Sequence, residues 1–117
     1  MTSLQRKALW ASAEHWLNNW QDPENASTDG DDCPCCQEFY DHAATVDTGC
    51  RDCPIYQYTG LPECEGTPYY HAREAKISLG KGFYSFGTEE MSAVDVTREA
   101  FEEEYRFLVE LALGELV

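Results

Sequence analysis

The sequence predicts a small α+β domain, mainly helical, in which two terminal amphipathic helices pack together. A cysteine-rich zinc-knuckle region is clamped to one end of that pair, and a short β-hairpin completes the fold. Three observations carry this expectation. Apolar residues recur at helical spacing near both ends, six cysteines fall between Cys33 and Cys64, and a short alternating run flanks a glycine-rich turn. At 117 residues the chain reads as a single domain spanning 1–117. A chain of this size buries only about 65% of its unfolded surface, so a staple adds usefully to a modest core.

The N-terminal helix occupies 1–22. Ser3 is placed to cap it, and Leu9, Ala13, Trp16 and Trp20 step by four, three and four, with Trp10 and Leu17 widening the stripe. Pro23 closes the helix, and Gln21 to Asp32 reads as a polar linker. Residues 33–69 form the cysteine region. Its prolines and glycines predict little regular structure beyond a short helix over Gln37 to Ala44 and another over Pro68 to Lys76, capped by Thr67. Over 77–86, Ile77 and Leu79 alternate, Gly80-Lys81-Gly82 can turn, and Phe83 to Phe86 favours a strand, which together predict the hairpin. The acidic C-terminal helix spans 92–113, with Ser92 and Asp95 as a capping pair. Phe101, Tyr105, Leu108 and Ala112 form its apolar stripe, flanked by Val94, Ala100 and Leu111. Glu99, Glu102, Glu103, Glu104 and Glu110 are assigned to its outer surface.

The cysteines read Cys33-Pro-Cys35-Cys36, Cys50-Arg-Asp-Cys53-Pro and Cys64-Glu-Gly-Thr-Pro, with thirteen residues between the first two clusters. A C-x2-C brings two thiolates from one tight turn to the same ion, and two such pairs make a tetrahedral zinc site. Cys33, Cys36, Cys50 and Cys53 are the default ligands, and Cys64 is a fifth thiolate able to replace one of them. Cys35 is expected to turn the other way. His42 and His71 are weaker ligand candidates. Four thiolates close the ion and leave it little Lewis acidity, so the zinc is expected to be structural. An even cysteine count also fits a secreted domain with three disulfides, but the C-x2-C pairs would then have no purpose. A dithiol redox centre needs a thiolate at a helix N-terminus on a thioredoxin-like sheet. No strand pattern precedes Cys33, and the acidic run at Asp29, Asp31 and Asp32 opposes a thiolate there.

With 22 acidic and 8 basic residues the formal net charge is −14, which disfavours direct binding to a phosphate backbone. No HExxH, Gly-x-Ser-x-Gly or phosphate-loop pattern occurs, and the histidines are scattered. No apolar leader or membrane-length run is visible, which predicts a cytoplasmic protein whose cysteines bind metal.

Cys50-Arg-Asp-Cys53-Pro, followed by Thr59-Gly60 and Cys64-Glu-Gly-Thr-Pro-Tyr69, resembles a group of small, uncharacterised cysteine-rich proteins of tailed bacteriophages and prophages. The similarity covers roughly 8–70 and includes a helix like Ala11 to Trp16 and an upstream C-x2-C. The resemblance implies a phage origin, a zinc-supported fold and Cys64 as a shared cysteine, with Cys35 as this chain's departure. It implies host cytoplasm as the location and names no activity.

Charge and the absence of catalytic motifs, taken with the phage origin that the resemblance implies, predict a non-enzymatic, zinc-stabilised phage accessory protein that binds a protein partner with a basic surface. Its carboxylates, including Asp29, Asp31, Asp32, Glu89, Glu90, Glu99, Glu102, Glu103 and Glu104, would imitate nucleic acid and occupy a host-defence or nucleic-acid-processing factor. The competing expectations are a zinc module touching nucleic acid through Arg6-Lys7 or through Arg73, Lys76 and Lys81, and a small metal-dependent hydrolase.

Overall fold

Helix-forming periodicity at both ends of the chain produces a helical assembly in the computed structural model, which describes residues 1–29, 32–40, 49–61, 63–80 and 93–114. The elements are α1 (Ser3–Gln21), a 3-10 turn (Pro23–Asn25), α2 (Pro34–Phe39), α3 (Pro54–Thr59), α4 (Tyr69–Gly80) and α5 (Ala93–Leu113). Helix accounts for 74% of the described residues and no strand occurs among them. The α+β expectation is therefore corrected to all-helical for that part of the chain. Ile77 to Gly80 continue α4 rather than starting a hairpin, while 81–86 lie outside the described residues. The reason is periodicity. Ala72, Ala75 and Ser78 recur every third residue and are buried, so the core face of α4 runs straight through the two-residue alternation at Ile77 and Leu79.

Thr2, not Ser3, caps α1. Its Oγ1 accepts from the Gln5 backbone N–H at 3.0 Å, and the Thr2 N–H donates to Gln5 Oε1 at 2.8 Å, a reciprocal capping box. The predicted caps of α5 cannot be compared in the same way, because Ser92 lies outside the described residues.

α1 and α5 form the main interface, with α4 laid against α5 and α2 against α1. The two long helices run antiparallel, as the contacts of Trp20 with Arg98 and of Trp16 with Phe101 show. The core consists of Leu9, Ala13 and Trp16 from α1, Ala72 and Ala75 from α4, and Ala100, Phe101, Leu108, Leu111 and Ala112 from α5. Trp16 meets Phe101 and Tyr69 edge-on, at 5.3 and 6.2 Å between ring centroids. Trp20, expected on the buried stripe, is instead 39% exposed, and the Arg98 guanidinium lies 5.8 Å from its ring.

The segment after α1 is fastened rather than free. Asn19 Nδ2 donates to the Ser27 carbonyl at 2.8 Å and Tyr69 Oη to the Thr28 carbonyl at 2.6 Å. Lys76 Nζ donates to the carbonyls of Pro23 and Glu24. At the other end of α1, Gln5 Nε2 donates to the Asp52 carbonyl and to Gln57 Oε1, both at 3.1 Å, which secures α3. Two details of the cysteine region are also corrected: the short helix expected from Gln37 starts at Pro34 instead, its predicted residues 41–44 lying outside the described ones, and α3 was not expected.

Phe101 is fully buried, so Phe101→Ala should cost about 3–5 kcal/mol in urea unfolding. Leu4→Ala, at a side chain 51% exposed, should cost less than about 1 kcal/mol.

Candidate metal centre

The same local device places two of the cysteines. Cys33 and Cys53 are each the N-cap of a short helix whose first position is proline, Pro34 in α2 and Pro54 in α3. Proline suits that position because its φ is already helical and its missing N–H is not needed. The Gln37 N–H donates to the Cys33 carbonyl at 2.9 Å and the Gln57 N–H to the Cys53 carbonyl at 3.1 Å, starting each helix. A tight turn in which the Cys53 N–H donates to the Cys50 carbonyl at 2.9 Å joins the second pair.

Cys64 arrives on a strained turn. Glu63 and Cys64 have φ of 57° and 62°, a left-handed conformation costing about 1–2 kcal/mol for each non-glycine residue. Tyr70 Oη donates to the Glu63 carbonyl at 3.0 Å and Thr67 Oγ1 to the Cys64 carbonyl at 2.7 Å, which holds the turn in place.

The Cys33 sulfur is the hub of the cluster. Hydrogen bonds from the Cys35 and Cys36 thiols hold it well below the usual thiol range despite burial, with help from the Cys36 N–H and Ser12. Cys53 is lowered chiefly by Cys35, and then by the N–H groups of Tyr56 and Ile55 at the start of α3, again against burial. The proton-bearing partners move the other way. Cys35 is pushed far up by its bonds to Cys33 and Cys53 and by burial, and Cys36 by its bond to Cys33 and by burial. Burial also raises Cys64, followed by the charges of Cys33 and Glu104. Cys50, also buried, is raised by that burial against a backbone hydrogen bond from Glu63.

Two polar side chains from the long helices reach this cluster. Ser12 Oγ, fully buried on α1, accepts from the Cys35 N–H at 3.2 Å and donates to Cys35 Sγ at 3.1 Å; it is 3.7 Å from Cys33 Sγ. Glu104 on α5 is 3% exposed, and its Oε2 has no hydrogen-bond partner. Burial first, and then the neighbouring Cys33 charge, raise its carboxyl from 4.5 to about 8. Both residues lie on apolar stripes, between Leu9 and Ala13 on α1 and between Phe101 and Leu108 on α5. Their polarity at those positions was the available sequence signal. Assigning Glu104 to the acidic surface, with its neighbours Glu102 and Glu103, is corrected by its burial.

Of the expected ligands, the structure gathers Cys33, Cys36, Cys53 and Cys64, and it buries Cys50. Cys35, expected to face away, is fully buried in the centre of the thiol network. His71 is exposed, with Nδ1 3.0 Å from Glu103 Oε2, and His42 lies outside the described residues. All six cysteines are free thiols. Among the described residues no group of three or more His, Cys, Asp or Glu side chains stands in a metal-binding arrangement. The thiols are gathered by shared protons, and an ion would have to replace those protons.

Cys33, Cys36, Cys50, Cys64 and Glu104 border an open cavity of about 1080 Å³, whose walls also include Trp16, Tyr69 and Arg73. Burial raises the Tyr69 phenol to about 12, so it stays protonated and donates to Thr28. No family model, curated protein or solved structure matches the chain.

Two outcomes follow for the reduced, chelator-treated protein. Ser12→Ala leaves the buried Cys35 N–H unpaired and should cost about 1–3 kcal/mol in urea unfolding. Glu104 has a folded value raised above its unfolded one. Its contribution is therefore fully present below pH 4.5 and lost as pH rises through about 8. Relative to wild type, Glu104→Gln should gain stability across that window, by an amount on the order of a few kcal/mol, measured as the difference between the two urea midpoints against pH.

Proposed function

We propose that this protein is a zinc-stapled helical module that acts by binding a protein partner. The observation that supports it most is the gathering of thiols from three separate segments around Cys33. An ion held there would tie α2, α3 and the Glu63–Cys64 turn to the long helices, and metal-binding free energy would become folding free energy. Thiolates that share protons in the metal-free state are suited to zinc, which prefers soft donors and displaces protons on binding.

The carboxylate surface supports a basic partner, in a reduced form. Glu99, Glu102 and Glu103 are exposed on α5, although Glu102 pairs with Arg106 at 2.7 Å and Glu103 with His71. The similarity to phage cysteine-rich proteins supports a phage accessory role, with a host factor that handles nucleic acid as the partner. Of the basic residues the nucleic-acid reading rests on, Lys76 is bonded to two backbone carbonyls, and Arg6, Lys7 and Arg73 are few against a net charge of −14.

Elemental analysis of protein purified under reducing conditions should find zinc bound to the chain. Chelation should lower the thermal midpoint by more than about 10 °C and expose thiols to a thiol reagent. Protein that is metal-free and equally stable with or without chelator would sink the staple. The binding role is tested separately by reversing Glu99, Glu102 and Glu103 to lysine. Capture of basic host proteins should fall with these changes and with added salt, and capture insensitive to both would remove the acidic face from the account.

A further inference from the structure

One C-x2-C of this chain borders the open cavity with both of its cysteines. Cys33 and Cys36 are half-buried and line the cavity of about 1080 Å³, a size that admits a small molecule. Cys35 and Cys53 are buried and absent from its wall, and Cys50, on the wall, is itself only 7% exposed. Cys64 shares the wall but acts on Cys33 through charge, without a hydrogen bond.

α2 sets these two cysteines side by side. Cys33 is its N-cap and Cys36 its third residue, and the Gln37 N–H donates to the Cys33 carbonyl at 2.9 Å to close the turn. Residues three apart on a helical turn stand about 5–6 Å apart at Cβ, and a disulfide needs about 3.5–4.5 Å. The Cys36 thiol hydrogen-bonds to the Cys33 sulfur, so closing the gap takes side-chain rotation and a small shift at the N-cap, whose backbone is extended. Cys35 also bonds to Cys33, but Ser12 holds it from the interior, accepting from its N–H at 3.2 Å and donating to its sulfur at 3.1 Å. We infer that Cys33 and Cys36 form a dithiol that a small-molecule disulfide of the glutathione class oxidises to an intrachain disulfide. The Cys33 thiol gives its proton to water, and its sulfur attacks one sulfur of the small disulfide. The old sulfur–sulfur bond breaks, one small thiol leaves with a proton, and a mixed disulfide remains on Cys33. Cys36, also losing its proton to water, attacks the Cys33 sulfur and expels the second small thiol. Two thiols of the chain are oxidised and one small disulfide is reduced. No thioredoxin-like sheet is required, since the pair is itself oxidised and catalyses nothing on other proteins. The inference is independent of the zinc staple; an ion held at Cys33 would have to leave before the exchange.

The test treats the reduced, chelator-treated full chain with glutathione disulfide, below its thermal midpoint. Remaining thiols are then alkylated and the linkages are read by mass spectrometry. The expected product joins Cys33 to Cys36 and leaves Cys35, Cys50, Cys53 and Cys64 alkylated. Cys36→Ser should stop at a glutathione adduct on Cys33, Cys33→Ser should lose the reaction at this pair, and Cys64→Ser should react as wild type does. The same incubation in urea should scatter the linkages, because the fold is what selects the pair. Thiols left intact, a disulfide mapped to another pair, or the same single product in urea overturns the inference. Where a serine variant does not fold, the linkage mapped in the wild-type chain decides. None of these outcomes touches zinc content or the response to chelator, which judge the staple separately.

Discussion

The antiparallel seam between α1 and α5 is the constraint on which everything else rests. It is apolar along most of its length, with Leu9, Ala13 and Trp16 facing Phe101, Leu108 and Leu111. Polar side chains interrupt it, Asn19 and Thr97 among them, and two of these concern Cys33: Ser12 on α1, 3.7 Å from its sulfur, and Glu104 on α5, which feels its charge. A seam of leucines alone would bury more apolar surface. The two polar groups give up some of that gain, and they fix where the cysteine segments must sit. Ser12 takes up the Cys35 backbone N–H, so α2 cannot slide along α1 without leaving a buried donor unpaired. The cysteine region is thus positioned by hydrogen bonding from the long helices as well as by its own turns.

Electrostatics within the cluster follow from local backbone structure. Cys33 and Cys53 stand at the starts of α2 and α3, where N–H groups lack helical partners and favour a negative sulfur. Cys35, Cys36 and Cys64 have no such support, and burial helps them retain their protons. Cys33 and Cys53 stand as the acceptors of a network in which the Cys35 and Cys36 thiols hydrogen-bond to neighbouring sulfurs, while Cys64 acts on it through charge alone.

The long helices were legible in the sequence because their stripes repeat for four or more turns, and Leu9, Ala13, Trp16, Phe101 and Leu108 were all read as core. The hairpin was not, because two alternating residues carry less weight than the three-residue period of Ala72, Ala75 and Ser78 that precedes them. α3 was missed and α2 was expected a few residues late, over Gln37 to Ala44, for a different reason. Pro34 and Pro54 were read as breakers, although proline after an N-cap starts a helix as readily as it ends one. At the centre itself, the cysteine spacing pointed to the right region but not to its arrangement. Spacing reports which sulfurs can share a turn, whereas side-chain direction depends on packing against α1, and that is what turned Cys35 inward.

Glu104 shows the general form of this limit. Within Glu102-Glu103-Glu104 the three residues are chemically identical, and a charge run on a helix is ordinarily solvated. Helical phase separates them: 102 and 103 project away from the seam, whereas 104 is three residues after Phe101 and four before Leu108. The same side chain therefore answers to two different physical demands one residue apart, solvation at 103 and compensation at 104. An acidic composition raises solubility wherever its carboxylates meet water, but a carboxylate placed in the seam cannot serve that purpose. What it does there is hold its proton: burial, and then the Cys33 charge, raise its carboxyl to about 8, so near neutral pH the seam carries it mostly uncharged.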